Sequence, residues 1–149
     1  MNEVTSTPAC VGIILDGNRR WAKARGIPKL EGHRAGLETL KNAVRFVRDK
    51  GIKHMIVYAF SMENWSREPA EVSYLMELFR GAMRDEMSKL GKEGTKVRFV
   101  GQREKFSGDL QKAMTDIERE TFANEAITFW VCLSYGGRAE IVAAAKAPA

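Results

Sequence analysis

Cysteine is scarce in this chain. Cys10 and Cys132, far apart in sequence, are the two in 149 residues. Isolated cysteines provide neither a disulfide framework nor a zinc-ligand cluster. They suit a reducing compartment, so a cytoplasmic location is the expectation. Long apolar runs are also missing. No stretch approaches the roughly 18 to 20 residues that a bilayer-spanning helix needs, and no signal-peptide pattern is read near Met1. Linkers, low-complexity stretches and short-period repeats are absent, which argues against a second domain. What is present is the composition of an ordinary globular protein, 44% hydrophobic and 29% charged. The small polar residues Met1 to Ala9 predict a loose tail, with a flexible segment over 1–10 and one folded unit over 11–149.

Charge is the first positive signal. A formal net charge of +5 and a pI near 9.4 favour an anionic partner. Nucleic acid, an anionic membrane surface and a diphosphate all qualify on that ground alone. A nucleic-acid module predicts basic residues interleaved with aromatics along one face. Here the arginines cluster in short segments beside Asp and Glu, which disfavours a phosphodiester backbone, so no nucleic acid is expected.

Four apolar runs alternate with segments of helical period. The runs are Val11 to Leu15, Met55 to Phe60, Val97 to Val100 and Ile127 to Leu133. Their continuous apolar character predicts strands buried on both faces. Leu37, Leu40, Val44 and Val47, at steps of three and four, mark a helix that Gly51 would stop. Val72 through Leu90 mark one long amphipathic helix, with Pro69 in its first turn and Gly91 at its end. Phe106, Leu110, Met114 and Ile117 outline another, with Ser107 as its cap. Repeated strand–helix–strand units imply an α/β fold with a mostly parallel sheet flanked by helices. A fourth strand would ordinarily be covered by further helix, so the 149 residues are expected to be the N-terminal part of a longer domain.

In parallel sheets, ligands bind at the carboxyl ends of the strands. The segments following the strands therefore form one candidate site: Asp16-Gly17-Asn18-Arg19-Arg20-Trp21, then Ser61-Met62-Glu63-Asn64-Trp65-Ser66-Arg67, then Ser134-Tyr135-Gly136-Gly137-Arg138. Asp16 offers a hard oxygen ligand for Mg²⁺, Gly17 lets backbone approach, and arginines grip phosphate oxygens in a bidentate fork. His33, expected at the start of the helix that carries Leu37, adds a further donor, whereas His54 reads as structural. Each feature alone has a plainer reading. Asp-Gly after a strand is most often a turn, paired arginines a solvated face, and Trp21 and Trp65 core.

Taken in order, the segments carry a family resemblance. Val11 to Lys23 closely resembles the opening signature of cis-prenyltransferases, the undecaprenyl diphosphate synthase family. Gly32-His33-Arg34-Ala35-Gly36 resembles a second block, Tyr58 to Arg67 with Glu71-Val72 and Leu75-Met76 a third, and Ser134 to Arg138 the Asn-Tyr-Gly-Gly-Arg block. The resemblance implies a transferase of isoprenoid biosynthesis. Such an enzyme condenses isopentenyl diphosphate onto an allylic, farnesyl-type diphosphate with Mg²⁺, making cis-polyprenyl diphosphates such as the undecaprenyl cell-wall lipid carrier. It implies Asp16 as catalytic and metal-binding and Asn64 in proton removal. Gly17, Asn18, Arg19, Arg20, Trp21, Lys29, His33, Ser61, Met62, Glu63, Trp65 and Arg67 would surround the substrate. It also implies a homodimer and a peripheral membrane contact for product release.

Departures from the pattern are Lys29 for arginine, Met62 for Ser or Thr, Ser134 for Asn, Glu68 where Pro is common, and a bulky Leu37 that would shorten or redirect a tunnel. The family's second-substrate block, Arg-Thr-Gly/Ser-Gly-Glu, is not among the 149 residues. The alternative expectation is therefore a half-site that binds allylic diphosphate but needs a partner or a further segment for turnover.

Overall fold

β-Branched and aromatic residues dominate the four apolar runs, and each forms a strand, as such side chains favour. The computed structural model describes residues 7–147. Most of the expected tail, residues 1–6, and Pro148 lie outside the described residues. The strands are β1 (Cys10–Ile14), β2 (His54–Ser61), β3 (Thr95–Val100) and β4 (Ile127–Tyr135). All pair in parallel, in the order β1-β2-β4-β3. Ile13 lies opposite Val57, and Val131 opposite both Val57 and Phe99. That inward row is the floor of the core.

Helices α1 (Asn18–Ala24) and α2 (Lys29–Asp49) connect β1 to β2. A short 3₁₀ turn, Met62–Ser66, leads into α3 (Pro69–Gly81), and a π-helical turn, Ala82–Met87, joins α3 to α4 (Ser88–Lys92). After β3 and a second 3₁₀ turn, α5 (Gly108–Glu120) leads to β4, and α6 (Gly137–Lys146) follows. The side chains of α2 (Leu40, Val44, Val47), α3 to α4 (Leu75, Met83, Met87, Leu90) and α5 (Leu110, Met114, Ile117) form one buried cluster with the inward strand residues. Phe60 stands at its centre, edge-on to Trp65, Phe79 and Phe106 at centroid distances of 4.9 to 6.3 Å.

Four expectations are corrected. The strands are not buried on both faces: Cys10, Gly12, Ile14, His54 and Ile56 are exposed, because the helices of the buried cluster all cover the opposite face. The helix carrying Leu37 begins at Lys29, after Pro28, so His33 sits in its second turn. The long helix is interrupted by its π-helical turn, and its stop is Gly94, at φ +87°, whereas Gly91 lies inside α4. Ser107 occupies the cap of α5 without a capping side-chain bond, its hydroxyl accepting from Arg80 instead.

Candidate active site

β1 ends at Ile14, and the chain turns through Asp16 and Gly17, whose φ of +93° a side chain would strain. The Gly17 N–H donates to Asp16 Oδ1 at 2.6 Å, and Arg20 donates to Asp16 Oδ2 at 2.9 Å. α1 is clamped against α2 by two glycines. A Cβ on Gly32 would lie 2.2 Å from the Asn18 carbonyl oxygen, and one on Gly36 would lie 2.6 Å from the Asn18 amide. The close approach fixes Asn18 and Arg19 beside His33.

Behind these groups lies Glu71, in the first turn of α3 and 2% exposed. Its carboxylate meets His33 Nε2 at 3.0 Å, Arg67 at 3.1 Å, Lys29 at 3.3 Å and Arg19 at 4.0 Å. Burial pushes the Glu71 carboxyl up, but the hydrogen bonds from His33 and Lys29 and the charges of Arg67 and Arg19 outweigh it. The carboxyl is held below its usual range. Burial holds the His33 imidazole below its usual value despite Glu71. A neutral imidazole facing an ionised carboxylate donates from Nε2, which leaves Nδ1 as an acceptor. One buried carboxylate on α3 thus orders four cation-forming or donor side chains from two helices and a loop.

Asp16, Gly17, Asn18, Arg19, Arg20, His33, Asn64 and Arg67 line one end of a single cavity of about 320 Å³. Asn64 Oδ1 accepts from the Ser61 N–H at 3.1 Å in a reciprocal cap of the 3₁₀ turn. That leaves its Nδ2 as a donor toward the cavity. The other end is apolar, walled by Leu37 and Leu40 of α2, Leu75 to Met83 of α3 and the π-helical turn, and Phe129, Val131 and Leu133 of β4.

The remaining candidates sit outside that lining. Trp21 is half-exposed under the Arg25 guanidinium, 4.2 Å from its ring centroid. Lys29 reaches the rim through Glu71 and Glu68. Met62 packs where a Cβ on Gly136 would meet its sulfur at 3.0 Å. Glu63 is held below the usual carboxylate range by its own backbone N–H, the Ser61 hydroxyl and the Arg138 charge. Trp65 donates to Ser134 Oγ at 2.9 Å. Ser134 is fully buried at φ +49°, a conformation an asparagine adopts more readily. His54 accepts from Trp130 Nε1 at 3.4 Å on the exposed sheet face. Sequence reasoning did not single out Glu71 as a site residue. Its signals were its place in the third resembling block and its position four residues after Arg67.

A cavity with a charged mouth and an apolar blind end fits an amphiphile bearing an anionic head. Residues 14–148 match the family model described as "Putative undecaprenyl diphosphate synthase". The chain belongs to that family. It is 44% identical over 139 residues to a farnesyl-diphosphate-specific ditrans,polycis-undecaprenyl-diphosphate synthase of Legionella pneumophila, covering 93% of this chain and 58% of that protein. It is 41% identical to isoprenyl transferase 2 of Bradyrhizobium diazoefficiens, covering 95% and 56%. The lavandulyl diphosphate synthase of Lavandula x intermedia, solved with dimethylallyl diphosphate, superimposes with a TM-score of 0.90 at 33% identity, covering 94% of this chain and 60% of that one. The chain thus spans somewhat more than half the length of these family members.

Mg²⁺, implied by the family resemblance, finds one suitable ligand. Among the described residues no three acidic, histidine or cysteine side chains converge into a preformed cage. The exposed Asp16 carboxylate at the cavity mouth suits an ion that arrives already coordinated by phosphate oxygens and water.

Proposed function

We propose that this chain binds an allylic, farnesyl-type diphosphate and takes part in condensing isopentenyl diphosphate onto it, giving a cis-polyprenyl diphosphate such as the undecaprenyl carrier lipid. The observation that carries the reading is the joining of both ends in one cavity: arginines, His33 and Asp16 at the mouth, and an apolar pocket behind them. The names of the similar bacterial proteins and the dimethylallyl diphosphate of the plant synthase support it.

The chemistry breaks the allylic C–O bond, forms a C–C bond to the terminal carbon of isopentenyl diphosphate and releases one proton and diphosphate. Arg19, Arg20 and Arg67 neutralise charge that develops on the departing diphosphate, and do so without reorganisation because Glu71 holds Arg19 and Arg67 in place. Mg²⁺ bound at Asp16 would add Lewis-acid neutralisation of the same oxygens. The Asn64 amide is no base, so its Nδ2 orients diphosphate or water, which takes the proton. The apolar walls keep water from the allylic carbon. A homodimer belongs to the same reading through the family alone, a cytoplasmic location is supported by the isolated cysteines, and a passing contact with an anionic membrane for product release by the +5 charge. No helix among the described residues is long and apolar enough to cross a membrane.

The test is calorimetric titration of the chain with farnesyl diphosphate and Mg²⁺, beside Asp16→Ala, followed by an isopentenyl diphosphate incorporation assay. Binding weakened at least tenfold in the variant is expected. Absence of binding by folded protein overturns the reading.

A further inference from the structure

The chain's excess positive charge is not spread over its surface. Residues 17–30 hold five of its 24 lysines and arginines and none of its 19 acids, so the rest of the chain is balanced and the net +5 resides here. The cations are Arg19, Arg20, Lys23, Arg25 and Lys29, in α1, the turn that follows it and the first residue of α2. Elsewhere arginines sit on nearby acids, as Arg34 does on Glu31, Arg48 on Glu93 and Arg80 on Asp109. In this segment Arg20 pairs with Asp16 and Lys29 with Glu68, one at either end. Lys23 and Arg25, exposed between them, have no acidic partner among the described residues, and prenyl transfer gives them no task.

Apolar groups are exposed in the same place. Trp21 is 40% exposed with the Arg25 guanidinium over its ring, and Ile27 is 38% exposed, followed by an exposed Pro28. The turn that presents Ile27 is tied down by its backbone. The Ile27 N–H donates to the Ala22 carbonyl and the Gly26 N–H to that of Lys23, the paired bonds that close a helix at a left-handed residue, here Gly26 at φ +66°. Ala22 is fully buried against α2, where a Cβ on Gly32 would lie 3.0 Å from its own.

A single exposed apolar side chain is ordinary. An indole and an isoleucine held among unpaired cations suit the headgroup layer of an anionic bilayer. There the indole finds a half-polar medium, and the lysine and arginine meet lipid phosphates. A phosphodiester backbone would use the cations but leave Ile27 and Pro28 without a contact, and acids at both ends of the patch offer it no track. The patch also adjoins the cavity. Gly17, Asn18, Arg19 and Arg20, at the start of α1, line the charged mouth, and the seven residues of α1 span only about 10 Å.

We propose that Trp21, Lys23, Arg25 and Ile27 form a docking surface for an anionic lipid bilayer, which sets the cavity mouth against the headgroups. The contact itself is carried by this surface. That it serves to pass a polyprenyl product to the bilayer rests on the proposed prenyl transfer.

The test is co-sedimentation of the 149-residue chain with vesicles of phosphatidylcholine, with and without phosphatidylglycerol. Partition into the anionic vesicles is expected to be at least a hundredfold stronger and to fall as salt is raised. Lys23→Gln/Arg25→Gln should lower it about thirtyfold, at roughly 1 kcal/mol for each charge near the surface. Ile27→Ser should lower it at least threefold and keep the salt dependence. Lys50→Gln/Lys53→Gln removes the same charge at the far end of α2 and should change it less than threefold. All three variants should bind farnesyl diphosphate, measured without vesicles, within threefold of the unaltered chain, which also shows them folded. Equal partition into neutral and anionic vesicles overturns the docking surface, as does an equal loss in the two lysine and arginine variants. Duplex DNA that binds more tightly than the anionic vesicles and displaces them would assign the patch to nucleic acid and overturn it too. Vesicle binding without farnesyl diphosphate binding would leave the docking surface and overturn the proposed function instead.

Discussion

At the mouth of the cavity, position is set by charge; at its floor, it is set by shape. The mouth gathers Arg19, Lys29, His33 and Arg67 on one buried carboxylate, so each group is held by the others and each substitution is felt by all. The apolar end, here called the floor, is lined by Met83, Met87 and Phe129, whose side chains offer no directional bonds. Leaving-group chemistry needs donors fixed before charge develops. A growing hydrocarbon needs only a wall that excludes water. The comparison teaches that one cavity can be rigid at its charged end and soft at its apolar end, because its two ends rest on different forces.

Substitution tests the contrast most strongly at Glu71. Glu71→Ala leaves the cationic groups facing one another without their counter-ion. The expected loss is about 3 kcal/mol, the low end for breaking a buried pair because Lys29 and Arg19 reach solvent. Urea denaturation at pH 7 measures it, and a loss below about 1 kcal/mol would show that the mouth is not organised by this carboxylate.

Next in size is Gly32→Ala, whose Cβ would meet the Asn18 carbonyl and push α1 off α2. A cost of about 1 to 3 kcal/mol is expected, with weakened diphosphate binding. Unchanged binding would show that the clamp does not position the anion site.

A smaller effect separates the two ends by pH. His33 titrates below its usual 6.5 in the folded chain, so the unfolded chain binds more protons just below that pH. Stability is therefore complete above pH 6.5 and falls as pH drops through the His33 window. Glu71, held below 4.5, adds a second fall when acidification protonates it. Urea midpoints across pH 2 to 8 follow both, and His33→Gln should remove the upper fall alone.

The smallest effect belongs to the floor. Met83→Leu conserves volume and should cost less than about 1.5 kcal/mol. A larger loss in thermal melts would make the floor as exacting as the mouth.

The sequence shows the charged residues that follow strands, because function in parallel sheets concentrates there. Asp16, Asn18, Arg19, Arg20, Asn64 and Arg67 were legible that way, and the structure brings them together with His33. Glu71 was not, since an acid inside an amphipathic helix reads as a solvated face until residues 19, 29, 33 and 67 converge on it. The parallel sheet and its four strands were legible from the apolar runs. The exposed face was not, because Ile14 and Ile56 make β1 and β2 look apolar on both sides. The π-helical turn left no trace either: Leu75, Phe79, Met83, Met87 and Leu90 are spaced as in an uninterrupted α-helix.

The most direct measurement is a crystal structure of the chain with Mg²⁺ and a non-hydrolysable farnesyl thiodiphosphate. The account predicts diphosphate oxygens within hydrogen-bonding reach of Arg19, Arg20 and Arg67, metal on Asp16, and a tail running past Leu37 to end against Met83 and Met87. A diphosphate bound away from this mouth, or a tail lying along the exposed sheet face, would contradict it.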